Sequence, residues 1–273
     1  MRTTMITQEN LGDYLPLLTE EEIFGLDANR FTLIGAFDEE KNEALGVISA
    51  EILPGYVRIN RLCTAVGADD EKVREALLSI IKQSPEDISL PVCFFSAGQE
   101  EDTEFFLSHG FTEKKSKYYY IEGRLKDMAD FPGAGGEDAP EIRVLENVSE
   151  EELDQFILQA PHDEIVQFPE LPVLSVDKDR FSDGSIVCFK NENPEAAILF
   201  QDYEGIITVV WIHGEEPRDI YYLFYVFKKM LSQEFENDLR IRFLLYENGP
   251  GSGAVEKIFS ESKRIPIRIS VLA

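Results

Sequence analysis

Hydrophobic and polar positions along the chain form short alternating runs, typical of strands, that are interrupted by stretches with helical spacing. The runs FTLIGAFDE and EALGVISAEI flank the charged turn EKN and predict a strand hairpin. YVRINRLCTAV predicts a third strand that leads into the helix DDEKVREALLSIIKQS. In that helix the apolar residues recur at helical spacing, at Val73, Ala76, Leu77, Ile80 and Ile81. A strand, SLPVCFFSA, a helix, EEDTEFFLSHG, and a strand, KKSKYYYIEGRL, follow.

The second half of the chain repeats this order of elements. EIRVLEN precedes the helix SEEELDQFILQA, where Ser149 and Glu152 form a capping-box pattern. Strands SIVCFKN, EAAILFQDY and IITVVWIH, helix PRDIYYLFYVFKKMLSQEF, strand LRIRFLLYE, helix AVEKIFSES and strand IPIRISVLA come next. Between the halves, residues 126–140 have the Gly, Pro and Asp composition of a linker. We therefore predict two domains, 1–125 and 141–273, of one duplicated topology.

Charge and composition restrict the partners. The 273 residues carry a formal net charge of -26 and are 44% hydrophobic. Neither half is basic, so we expect no nucleic-acid binding and no binding to an anionic membrane, and the field favours cationic partners. The N-terminal sequence lacks the apolar core of a signal peptide, and no apolar run reaches membrane-spanning length. These features predict a cytoplasmic protein.

Cysteine and histidine do not indicate a metal site. Cys63, Cys93 and Cys188 are far apart and odd in number, which predicts no disulfide framework. The histidines lack the spacing of metal ligands. His109 next to Gly110 instead predicts the C-terminal end of a helix, where a partly charged imidazole suits the dipole.

The element order resembles the GNAT superfamily of N-acetyltransferases. TEFFLSHGFTEKKSKYYYIEG is similar to the family's late helix with its aromatic pair and Gly-Phe, followed by the last strands. LCTAVGADDEKVREALL, residues 62–78, stands where the family has its acetyl-CoA-binding turn. The resemblance implies an α+β fold of two GNAT-like domains, each a mixed, mostly antiparallel sheet flanked by helices. The second domain is the more degenerate one.

By this resemblance acetyl-CoA is the expected cofactor, acting as a substrate. The family's turn carries Gln or Arg and two small residues, which let the backbone close on a diphosphate. Here Asp69 stands at the first of these places, and Lys72 and Arg74 at the small ones. The carboxylates either cap the helix and repel a diphosphate, or the two cations hold it. The expected cofactor-binding residues are Leu62, Cys63, Thr64, Val66, Gly67, Lys72, Arg74 and Gln99.

Acetyl transfer to an amine needs a base, donors that polarise the carbonyl, and an acid for the thiolate. The resemblance implies a Tyr as the acid, but Phe106 occupies its place. Glu51 is the candidate catalytic base, with a water held near Asn60 as the alternative, and a solvated strand end is the simpler interpretation of Glu51. Backbone amides between Cys63 and Val66 would polarise the carbonyl.

In the second half, HGEEPRD puts Glu216, Asp219 and Tyr221 at the places of the turn residues, and NGPGSG predicts a flexible connector. The helix containing IYYLFYVFKKML is apolar around most of its circumference, which predicts a contact with another domain or a second copy of the chain.

Two functions remain. One is an acetyl-CoA-dependent N-acetyltransferase acting on a cationic amine, either a small molecule or a peptide. The alternative is a non-catalytic GNAT-fold protein used for binding or assembly. Acetyl-CoA binding separates the two hypotheses.

Overall fold

The computed structural model describes residues 1–53, 56–83, 90–98, 100–131, 140–159, 178, 181–203, 205–214, 216–249 and 251–272. Within them the chain forms twelve strands and seven α-helices. The fold divides into two compact units. Unit 1 contains residues 1–115 and 268–273, and unit 2 contains residues 116–267.

Unit 1 is a mixed sheet flanked by helices. Its elements are β1 (Arg2–Met5), α1 (Leu11–Tyr14), α2 (Glu20–Asp27), β2 (Thr32–Asp38), β3 (Glu43–Leu53), β4 (Tyr56–Thr64), α3 (Asp70–Lys82), β5 (Val92–Ala97) and α4 (Glu100–Ser108). The strand order is β1-β2-β3-β4-β5. All neighbours are antiparallel except β4 and β5, which are parallel.

Unit 2 repeats the plan. Its elements are β7 (Glu141–Val144), α5 (Glu150–Gln159), β8 (Ile186–Lys190), β9 (Asn193–Tyr203), β10 (Ile206–Gly214), α6 (Pro217–Glu234), β11 (Arg240–Tyr246) and α7 (Ser252–Ile258), together with most of β6 (Thr112–Arg124) and the first residues of β12 (Arg264–Leu272). The strand order is β6-β11-β10-β9-β8-β7, and β10 with β11 is the parallel pair. The predicted α+β class, with two mostly antiparallel sheets flanked by helices, is confirmed.

The predicted domain boundaries do not coincide with the compact units. Residues 118–124 of β6 pair with β11, so this part of the strand belongs to unit 2 although it precedes the predicted linker. Conversely, residues 268–273 belong to unit 1, and β12 is the strand next to β5. Met128, at the start of the predicted linker, is buried in the core of unit 2. Residues 132–139 of that linker lie outside the described part of the chain.

Each core follows from the helical spacing. In unit 1, α3 buries Val73, Leu77 and Leu78 against the sheet. In unit 2, α6 buries Phe224 and Phe227 completely.

The opposite side of α6 carries Tyr225, which is 36% exposed and stacks on Tyr222 with ring centroids 6.4 Å apart. A second copy of the chain as partner for the exposed face stays a prediction.

None of the described helices is long and apolar enough to cross a membrane.

Candidate functional site

The parallel strands β4 and β5 of unit 1 stop pairing before either strand ends. Their register ends at the pair Ile59–Phe94, although β4 continues to Thr64 and β5 to Ala97. Beyond that pair, residues 60–64 of β4 are all partly exposed. Backbone groups that leave a ladder need other partners. The diverging end of β4 is therefore open to a ligand that lies along it.

A β-bulge explains where the divergence begins. On β3, Ser49 pairs with Arg61 and Ala50 with Ile59, so Asn60 is the extra residue on β4. A bulge bends the strand that contains it. The side-chain Nδ2 atom of Asn60 is buried and has no hydrogen-bond partner among the described residues. The sequence pattern did not predict this bulge, because an extra residue in a half-buried strand leaves no clear mark on the hydrophobic alternation.

Unit 2 has a bulge at the equivalent place, but there the end of the strand is buried. β10 pairs with β11 as far as Val209 and then carries a bulge at Val210 relative to β9. Here, however, residues 210–214 are all buried. Gly251 precedes α7, and a Cβ at that position would lie 3.0 Å from the Cβ of Ile212. The Gly-rich turn, interpreted from sequence as a flexible connector, thus lets α7 pack directly on β10.

In the turn of unit 1 between β4 and α3, the carboxylates of the turn accept hydrogen bonds from residues of the chain itself. Asp69 is the N-cap of α3 and accepts a hydrogen bond from the backbone N of Lys72, at 3.4 Å. Asp70 accepts from the hydroxyl of Thr64. Gly67 has a φ of 87°, which favours glycine, and makes the turn possible. The predicted capping of these helix amides by carboxylates is confirmed.

The two predicted phosphate-binding cations differ. Arg74 donates to Asp102 on α4 at 2.7 Å and lies 3.6 Å from Asp70. Its guanidinium also lies over the ring of Phe105, 4.2 Å from the centroid, and its side chain is only 12% exposed. Lys72 is exposed. Arg74 thus connects α3 with α4, and a phosphate would have to compete with two carboxylates for it.

Glu51 is held by two guanidinium groups. It accepts from Arg58 Nη2 at 2.7 Å and from Arg30 Nε at 3.3 Å, and its side chain is 3% exposed. The interpretation as a solvated strand end is therefore wrong. Its role as a catalytic base stays a prediction, and the geometry opposes it because both carboxylate oxygens already accept hydrogen bonds from arginines.

A second buried carboxylate in unit 1 was not predicted from the sequence. Arg61 donates to both oxygens of Glu22, and the backbone N of Thr19 donates to Glu22 at 3.0 Å. Burial raises the pKa of Glu22, but the hydrogen bonds from Arg61 and Thr19 outweigh burial and leave it below its ordinary value. The capping-box residues of α2 were the available signal, and only the fold brings Arg61 to them.

The place of the family's acid is apolar. Phe106 is fully buried and stacks on Phe94 with ring centroids 4.2 Å apart. It has no hydroxyl to donate. Ser96 and Thr103 are hydrogen-bonded to each other at 2.6 Å and are buried.

The remaining predicted residues of the cofactor site are spread over the open end of β4 and the turn. Leu62 packs on the α3 core, Cys63 is half-buried, and Val66 is fully exposed. Gln99 lies outside the described residues.

Metal and thiol chemistry find no support in the described part of the chain. No cluster of three potential ligands occurs among the described residues. Burial raises the pKa of Cys93 to about 11 and that of Cys188 to about 12, so both are inert thiols.

No family model matches the chain, and neither does a curated protein. Solved structures do match. The tandem GNAT protein from the clavulanic acid biosynthesis pathway superposes with a TM-score of 0.72 at 9% identity, over 99% of this chain and 98% of that one. This chain has a tandem GNAT fold.

Two further structures match over a smaller share of their own length. A conserved Enterococcus faecalis protein, described as a probable N-acyltransferase, has a TM-score of 0.59 at 10% identity, over 98% of this chain and 71% of its own. A GCN5-related N-acetyltransferase from Kribbella flavida has a TM-score of 0.57 at 12% identity, over 98% and 70%. At such identities the similarity concerns the GNAT fold, which occurs here in two copies.

Proposed function

We propose that this tandem GNAT protein is an N-acyltransferase that moves an acetyl group from a pantetheine thioester such as acetyl-CoA to an amine. The observation that carries the proposal is the open end of β4, where the bulge at Asn60 and the divergence after Ile59–Phe94 leave residues 60–64 partly exposed. An extended pantetheine arm can lie along a strand edge of this kind and take up its free backbone groups.

Unit 1 is the catalytic unit in this proposal. Its β4 end is partly exposed, whereas the corresponding end of β10 in unit 2 is buried. In unit 2 the turn before α6 also has Pro217 at the first helical position, which removes a backbone donor. Unit 2 then contributes to the stability of the fold rather than to chemistry.

The reaction needs few side chains. The ammonium group first loses one proton to solvent. The neutral amine nitrogen then attacks the thioester carbonyl, the C–N bond forms as the C–S bond breaks, and a second proton passes from the nitrogen to solvent. Backbone amides of β4 beyond the bulge polarise the carbonyl. A water held by Asn60 Nδ2 is the candidate proton acceptor, since Glu51 is occupied by arginines. The thiolate leaves without a tyrosine donor, so we expect slow turnover.

The acceptor that fits best is a cationic amine. The net charge of -26 attracts such a substrate and raises its local concentration. A small polyamine and a basic peptide share this chemistry.

A non-catalytic binding protein is the second candidate. It is favoured by Phe106, which is buried and has no hydroxyl, and by the capping of α3 by Asp69. In that case the fold serves binding or assembly without acyl transfer.

Calorimetric titration of the full chain with acetyl-CoA, together with release of free thiol in the presence of spermidine, tests the proposal. We expect both binding and thiol release, and the replacement Thr64→Trp at the open end of β4 should abolish both. The loss of the hydrogen bond from Thr64 to Asp70 should lower the free energy of unfolding by only about 1 kcal/mol. Binding of acetyl-CoA without thiol release for any of a panel of amines would favour the non-catalytic candidate.

A further inference from the structure

The open end of β4 and the turn that follows it differ in charge. The open end consists of the partly exposed strand residues 60–64, which carry no ionised group other than Arg61. Arg61 is paired with Glu22. The turn carries acidic groups close together. A thioester donor that extends along the open end of β4 and across the turn would therefore have its neutral arm at the strand and its phosphates at the turn. The strand suits the neutral arm, whereas the acidic turn repels phosphate.

The charges at the turn can be counted from the contacts. Asp69 and Asp70 are used for the cap of α3, for Thr64 and for the ion pair with Arg74. Arg74 is shared between Asp70 and Asp102. Six ionised residues stand at the start of α3 and at its contact with α4, four acidic and two basic: Asp69, Asp70, Glu71, Asp102, Lys72 and Arg74. The excess of negative charge falls where the helix amides would receive a diphosphate.

The concavity next to the turn does not reverse this balance. A cavity of about 290 Å³ borders Gly67 and Ala68. Its lining includes three acidic side chains, Asp38, Glu43 and Asp69, two basic side chains, Lys41 and Lys72, and the N-terminal residue Met1 with its α-amino group, so it has no excess of positive charge. An anion bound in the cavity would lie next to these lining groups, and salt with a Debye length of about 8 Å would screen them only in part.

Unit 2 shows a similar arrangement independently. The residue at the place of Arg74 there is Tyr221, whose hydroxyl accepts a hydrogen bond from Lys257 on α7 at 3.1 Å. In both units the side chain at this place binds the following helix. The place that must be small for a diphosphate to enter is occupied in each unit.

Resting on the proposed function, we infer that the donor is recognised through its acyl-pantetheine arm alone and that the turn discriminates against the nucleotide diphosphate. The preferred donor class is a pantetheine thioester without the nucleotide. Acetyl-CoA binds through the same arm, with its nucleotide in solvent or repelled.

Titration calorimetry of the full chain with S-acetyl-pantetheine and with acetyl-CoA tests this inference. We expect S-acetyl-pantetheine to bind at least as tightly as acetyl-CoA, and we expect acetyl-CoA binding to tighten when the salt concentration rises from about 0.05 to about 0.5 M. An acetyl-CoA affinity about tenfold or more above that of S-acetyl-pantetheine, a difference of about 1.4 kcal/mol, would overturn the inference and leave the proposed function intact.

Charge variants make the test specific to the turn. The double variant Asp69→Asn/Asp70→Asn retains a good cap, because Asn is favoured at that position. It should tighten acetyl-CoA binding at least threefold and leave S-acetyl-pantetheine unchanged. The control, Glu150→Gln/Glu151→Gln at the exposed start of α5, changes the net charge equally and should have little effect. Equal effects of both double variants would overturn the inference. Binding of neither thioester to the unaltered chain would refute the proposed function itself.

Discussion

Replacing Glu51 with Gln separates a structural role of this carboxylate from a catalytic one. Glu51 accepts from Arg58 at 2.7 Å and from Arg30 at 3.3 Å, and the side chain of Arg58 is 13% exposed. Loss of the negative charge leaves the Arg58 guanidinium buried without compensation. Its Nε atom already lacks a hydrogen-bond partner among the described residues.

The magnitude follows from the burial of each partner. Breaking a buried pair by removing one partner costs about 3–5 kcal/mol. Arg30 is 26% exposed, so its share is smaller, about 1 kcal/mol or less. We therefore expect Glu51→Gln to lower the free energy of unfolding by about 3–5 kcal/mol.

Urea unfolding measures this loss, and a double-mutant cycle assigns it. Glu51→Met combined with Arg58→Met removes both charges, so the double variant should be more stable than the sum of the single losses predicts, by at least about 1 kcal/mol. Acetyl transfer per folded molecule should stay unchanged. A loss below about 1 kcal/mol together with a large fall in turnover would refute the reasoning and identify Glu51 as the base.

Three further outcomes are expected. Phe106→Tyr places a hydroxyl in the apolar stack with Phe94 and should lower the free energy of unfolding, measured by heat or urea, by about 1–3 kcal/mol. The rate of acetyl transfer should not rise, and faster transfer would contradict this prediction. Gly251→Ala places a Cβ 3.0 Å from Ile212 and should destabilise the fold by about 1–3 kcal/mol. The control Gly253→Ala has nothing within 4 Å of its Cβ and should be neutral or stabilising. Similar melting temperatures of the two variants would contradict this prediction. The pKa of Glu22 is lowered in the folded state. The ionised carboxylate therefore stabilises the fold fully above the unfolded-state pKa, and this contribution disappears as the pH falls through the folded-state pKa. Urea unfolding from about pH 3 to 6 should show a weaker pH dependence of the unfolding free energy for Glu22→Gln than for the unaltered chain.

Local patterns in the sequence were sufficient for the elements and for the chemistry of the turn. The helical spacing of Val73 and Leu77 predicted α3, and the pattern of Ser149 and Glu152 predicted the capping box that the hydrogen bonds confirm. Capping of α3 by the carboxylates of the turn was one of the two predicted alternatives, and Asp69 is the N-cap, which bonds to a residue three positions along the chain. Such interactions join residues that are close in sequence, so the sequence alone predicts them.

Which strands pair, and which buried charges meet, was decided only by the tertiary structure. Residues 268–272 belong to unit 1, and residues 118–124 of β6 pair with β11, although the linker composition pointed to a boundary after residue 125. From the sequence, Glu51 was interpreted as a solvated strand end, but the pairing of β3 with β4 places Arg58 opposite it. Strand pairing joins residues that are distant in sequence, and its energy depends on the neighbour across the ladder and on burial. Neither quantity can be read from a run of residues alone, whereas a helix and its cap need only their own segment.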